Sequence, residues 1–128
     1  MTDLAAGLDA WRQDALFGPA NGTPSVGTKL RKMIIGHAIL GQQSFFGSSF
    51  PSLDPPAYGS LNQITAPLLV VVGQDDLAEF HLMAQLIRDE STNAVIRRLV
   101  EVPEAGHMSN MENPSFVSGL LLSFLLDN

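Results

Sequence analysis

The chain has no cysteine, which rules out disulfide bonds, a thiolate nucleophile and cysteine-bound zinc. Its three histidines, His37, His81 and His107, fall on separate elements, so no metal site is expected from them. Positive charge is scarce as well. Seven lysines and arginines face thirteen acids, for a net charge of −6, and the whole excess lies in residues 61–128. Phosphate backbones and anionic lipid surfaces repel such a chain, so neither nucleic acid nor a membrane is an expected partner. The longest apolar run, residues 120–126, is interrupted by Ser123 and falls far short of a bilayer span. No basic n-region and apolar h-region open the sequence, so no secretory leader is expected and the cytoplasm is the default location. Neither Gly-x-x-x-x-Gly-Lys nor Gly-x-Gly-x-x-Gly occurs, and no cofactor is expected.

What is present is a globular composition. The 128 residues are 45% hydrophobic and 16% charged, one domain's worth of chain. Two textures meet near residues 51–65. Over 1–59 the pattern is helical and loop-rich. Leu4, Leu8, Trp11 and Ala15 recur at helical spacing and predict a helix over 3–17. The glycines and prolines of 18–24 then predict a break. A second helix is expected over 28–46, with Leu30, Met33, Ile34 and His37 along one side. The prolines of 50–56 predict an extended connector.

Residues 60–128 alternate strand, helix, strand, helix. The run 67–72, rich in leucine and valine, suits a parallel strand buried on both faces. A helix over 79–90 follows, with Phe80, Met83, Ala84 and Ile87 on its apolar side. A second strand is expected over 95–102, nearer a sheet edge because Arg97, Arg98 and Glu101 interrupt it. Asn113 and Pro114 form a helix start, and Phe116, Val117, Leu120, Leu121, Phe124 and Leu125 mark the expected buried face. The result is a βαβα array, in which a parallel crossover is right-handed.

Asp76 and His107 each fall just past a predicted strand end, on the edge of the sheet where open α/β proteins gather ligands and catalytic groups. A carboxylate on the imidazole Nδ1–H fixes the tautomer and leaves the other nitrogen free to take a proton from a nucleophile. Asp75 is the competing acid, because strand ends are uncertain by a residue or more. His81 is expected on the surface and His37 in a core. Trp11, Phe45, Phe46 and Phe50 either line an acyl pocket or belong to a core.

Residues 64–76, Ile-Thr-Ala-Pro-Leu-Leu-Val-Val-Val-Gly-Gln-Asp-Asp, resemble the penultimate strand and acid loop of the α/β-hydrolases. Residues 102–107, Val-Pro-Glu-Ala-Gly-His, with 108–114 and the helix that follows, resemble that family's histidine loop and closing helix. The order acid then histidine agrees with the family's. The resemblance covers about residues 60–128. More loosely, Asp9-Ala10-Trp11 and the connector resemble the family's cap. It implies a partial α/β-hydrolase fold: two parallel strands with flanking helices after a helical cap-like segment. It also implies cofactor-free hydrolysis of small esters or lactones, with Asp76 orienting His107 as general base and acid.

The family's Gly-x-Ser-x-Gly elbow is missing. Gly47-Ser48-Ser49-Phe50-Pro51 lacks the second glycine, and Ser44, Ser48 and Ser49 read as helix-end and loop serines. The early oxyanion loop is missing too. The sequence thus resembles a C-terminal part of such an enzyme, and no esterase activity is expected from it alone, since losing the nucleophile costs about a million-fold. The alternative is a non-catalytic interaction module, pairing with a second copy or with an N-terminal half through an exposed edge of the strand at 67–72.

Overall fold

The computed structural model describes residues 4–39, 54 and 56–127. The first helix, α1 (Leu4–Arg12), is shorter than its periodicity predicts. Asp14 ends it: its carboxylate accepts the Leu16 N–H at 2.9 Å and caps a 3-10 turn over Ala15–Phe17. The expected break at 18–24 instead contains a short helix, α2 (Gly18–Gly22), with Pro19 in its first turn. Tertiary packing overrides the weak helix propensity there, because Ala20 is fully buried. The next helix, α3 (Pro24–Ile39), starts four residues before its expected start. The expected helical stretch over 40–46 and most of the connector lie outside the described residues. So do Ser44, Ser48, Ser49, Phe45, Phe46, Phe50 and the side chain of His37. Pro56 is extended as expected, and a 3-10 stretch over Ala57–Gln63 follows it.

The C-terminal array matches its pattern closely. Strand β1 (Leu68–Gly73), helix α4 (Ala78–Glu90) and strand β2 (Arg97–Val102) form one crossover. The strands pair in parallel from Leu68 opposite Arg97 to Gly73 opposite Val102. Glu79 in the first turn of α4 and Arg88 in its last complement the helix dipole. Ser91 closes the helix; fully buried, its hydroxyl donates to the Ile87 carbonyl at 2.6 Å. A four-residue helix, α5 (Ser109–Glu112), precedes the last helix, α6 (Pro114–Leu126). Asn113 caps α6 by accepting the Phe116 N–H, while its amide donates to the Pro103 carbonyl at 3.1 Å.

Two expectations about burial need correcting. Strand β1 is buried only at its C-terminal end, Val72 and Gly73; Leu68 to Val71 are half-buried. The sheet has two strands, so among the described residues no strand covers the second edge of β1. On α6, Val117 is buried, but Phe116, Leu121 and Leu125 are 39%, 44% and 70% exposed. No described element covers that side.

One apolar cluster gathers Phe17, Ala20, Val26, Leu30 and Ile34, with Met108 and Met111 packed against it. A second gathers Val102, Ala105 and Val117 against Val71. The helical segment is therefore seated on the loop that carries His107. Among the described residues, no helix is long and apolar enough to cross a membrane.

Candidate functional site

The site is built where β1 and β2 end side by side. Beyond the ladder the pairing continues into the loops. The Gln74 N–H donates to the Val102 carbonyl at 2.9 Å, and the Asp75 N–H to the Ala105 carbonyl at 2.8 Å. This approach requires glycine at 73. A Cβ there would lie 2.1 Å from the Gly106 oxygen and 2.4 Å from the Ala105 oxygen. Gly106 is tight on its other side as well, where a Cβ would meet Pro19 Cγ at 2.6 Å. The turn leaving β2 places Glu104 in the left-handed region, φ 54°. That conformation costs a non-glycine residue about 1–2 kcal/mol, and it directs the chain back over the end of β1.

Asp76 and His107 are brought together. His107 Nδ1 lies 3.1 Å from Asp76 Oδ2 and 3.3 Å from Oδ1. The Asp76 side chain is 6% exposed and that of His107 31%. Oδ1 also accepts the Leu77 N–H at 2.8 Å, which orients the carboxylate from the start of α4. The Phe80 ring packs on the imidazole with centroids 4.3 Å apart at 48°. A carboxylate facing Nδ1 favours the proton on that nitrogen, which leaves Nε2 as the basic lone pair. Asp75, the competing acid, is exposed and joins the site only through its backbone. His81 is not solvated on all sides: its Nδ1 lies 3.5 Å from Glu101 Oε1 across α4 and β2.

His107 borders two hollows. One, of about 200 Å³, runs along Val70 to Gly73 and is also lined by Asp76, Phe80 and Ser109. The other, of about 440 Å³, is apolar and lies among Trp11, Phe17, Leu30 and Ile34 of the helical segment. Trp11 stands edge-on to Phe17, with centroids 5.4 Å apart. Among the described residues no hydroxyl is hydrogen-bonded to the imidazole, and no group of three or more histidines and acids could hold a metal ion.

Two contributors escape the sequence pattern. Phe80 belonged to the apolar side of a helix, and only the tertiary fold sets its ring on His107. Glu112 stood in the string before Asn113 and Pro114, yet its carboxylate Oε2 accepts the Gly106 N–H. An acid five residues beyond the histidine, in a loop with no basic partner, was the available hint. No family model, curated protein or solved structure matches the chain.

Proposed function

We propose that Asp76 and His107 are the acid and the histidine of a catalytic triad, carried on a partial α/β-hydrolase fold. The supporting observation is the 3.1 Å approach of the Asp76 carboxylate to His107 Nδ1 at the shared end of two parallel strands. In this reading His107 Nε2 takes the proton of an attacking hydroxyl and returns it to the leaving alkoxide of a small ester or lactone. Asp76 holds the tautomer and stabilises the imidazolium formed between those steps. The nucleophile comes from a segment or partner other than these 128 residues, which lack a Gly-x-Ser-x-Gly elbow. Nitrogen-15 NMR of the imidazole should show the proton on Nδ1, and Asp76→Asn should remove that preference. A segment bearing the elbow, mixed with the chain, should restore p-nitrophenyl acetate hydrolysis. Asp76→Asn should then lower turnover by about four orders of magnitude. Restored activity that survives His107→Ala would overturn the assignment.

A second reading, an interaction module, rests on the open edge of β1. The Leu68 N–H donates to Ile96 and the Gln74 N–H to Val102, so even-numbered positions face β2 and Leu69 and Val71 present their backbone groups outward. Such an edge templates pairing with another chain. Concentration-dependent sedimentation that Val71→Pro abolishes would favour this reading; a monomer at all concentrations would exclude a homodimer built through that edge.

A further inference from the structure

The loop that presents His107 is held from both sides by one residue. On one side, the Glu112 carboxylate accepts the Gly106 N–H through Oε2. On the other, the Glu112 backbone N–H donates to the Met108 carbonyl at 3.0 Å. His107 lies between those two anchor points, so its Cα–Cβ direction is fixed by a ring of contacts that closes on Glu112. The rest of the loop is tied as well: the Asn113 N–H donates to the Ser109 carbonyl at 2.9 Å, and the Asn113 amide reaches the Pro103 carbonyl. Without the side-chain bond, the N–H side of that peptide would be unpaired, and the unit would be held by the Asp75 N–H on its Ala105 carbonyl and by packing against Gly73 and Pro19.

Holding the carboxylate there is costly. Its Oε1 is enclosed and has no hydrogen-bond partner among the described residues, and an enclosed, unsatisfied acceptor lowers stability. An apolar residue of similar size would avoid that penalty but would leave the Gly106 N–H unsatisfied. The bond that is made is charge-assisted, the stronger kind.

We infer that Glu112 is a positioning residue: it fixes the Gly106 peptide and thereby turns His107 Nδ1 toward Asp76. This inference rests on the acid–histidine reading above. It adds a residue whose carboxylate is hydrogen-bonded to the Gly106 N–H and which acts through the backbone.

The test uses the full 128-residue chain and two readouts that do not need activity. One is the His107 tautomer by nitrogen-15 NMR, assigned with His107→Ala; the other is hydrogen exchange at the Gly106 amide. Glu112→Gln keeps a neutral acceptor and should retain the Nδ1–H form. Glu112→Asp, one methylene shorter, and Glu112→Ala should both release it. The Gly106 amide should then exchange at least about tenfold faster, while circular dichroism still shows a folded chain. An unchanged tautomer and unchanged Gly106 exchange in folded Glu112→Asp would overturn the inference. Should Glu112→Ala fail to fold, Glu112→Asp and the wild-type Gly106 amide decide the matter, because a wild-type amide that exchanges as if fully exposed would overturn it as well. A wild-type imidazole protonated on Nε2 has a different meaning: it removes the acid–histidine reading, and with it the positioning role, whatever the Gly106 amide does.

Discussion

Replacing Gly73 with alanine tests the joint on which the site depends. The added Cβ would sit 2.1 Å from the Gly106 oxygen and 2.7 Å from its carbonyl carbon. Ordinary contact begins near 3.4 Å, so the histidine loop would have to retreat by 1.3 Å (3.4 − 2.1). These are backbone atoms, and no rotamer change relieves them. The Ala105 carbonyl would be driven off the Asp75 N–H, which it now meets at 2.8 Å. Overpacking of this kind costs about 1–3 kcal/mol, and the lost hydrogen bond adds about 1 kcal/mol. A total of about 3 kcal/mol corresponds, in a chain of this size, to a fall in Tm of about 10–15 °C. Thermal melting by circular dichroism measures it, with Gly119→Ala as control. At that position in α6 a Cβ meets nothing within 4 Å, and helix propensity should raise stability by up to about 1 kcal/mol. A Gly73→Ala protein that melts with the wild type and keeps the His107 proton on Nδ1 would refute the close apposition of the two loops. The placement of Asp76 beside His107 would then lose its structural support.

Asn113→Ala removes both the cap of α6 and the tie to Pro103; we expect a loss of about 1–2 kcal/mol in urea unfolding, and a loss below a few tenths would show that neither bond matters. Phe80→Ala withdraws the ring that lies on His107, so the imidazole carbon-bound protons should move downfield in NMR spectra; unmoved signals would mean that the rings do not meet in solution. The Arg88 guanidinium donates two hydrogen bonds to Asp89, at 2.7 and 3.0 Å, and holds its carboxyl below the usual carboxylate range. A lowered folded-state pKa stabilises the fold above the unfolded value, and the contribution disappears as pH falls through the folded one. Arg88→Gln should therefore raise the Asp89 midpoint in an NMR titration, and an unaltered midpoint would contradict the pairing.

The strands, α4 and the start of α6 were legible in the sequence because each rests on a local code. The leucine and valine run, the apolar spacing of Phe80, Met83, Ala84 and Ile87, and the Asn113-Pro114 pair each act within a few residues. The meeting of Asp76 and His107 was legible because parallel strands align their ends. Other features depended on distant partners. Helix α2 forms where Gly18, Pro19 and Gly22 argue for a break, because Ala20 and Pro19 have a core and a loop to pack against. The burial of α6 was overestimated for the converse reason: its leucines form an apolar pattern on every side, and pattern alone does not choose which side meets Val102 and Ala105. Glu112 acts through a backbone N–H six residues away, a contact that no periodicity encodes.

The direction of the two strands has a consequence for how the molecule comes to possess its acid–histidine pair. Strands that run the same way cannot zip up from a tight hairpin; the intervening stretch must be gathered in before the first rung closes. Such non-local closure is slow compared with helix formation. A nascent chain can therefore hold α4 and α6 as fluctuating helices while its carboxylate and imidazole remain strangers. The pair is born with the completed crossover, so proton traffic at the imidazole reports on the whole topology and not on any one segment.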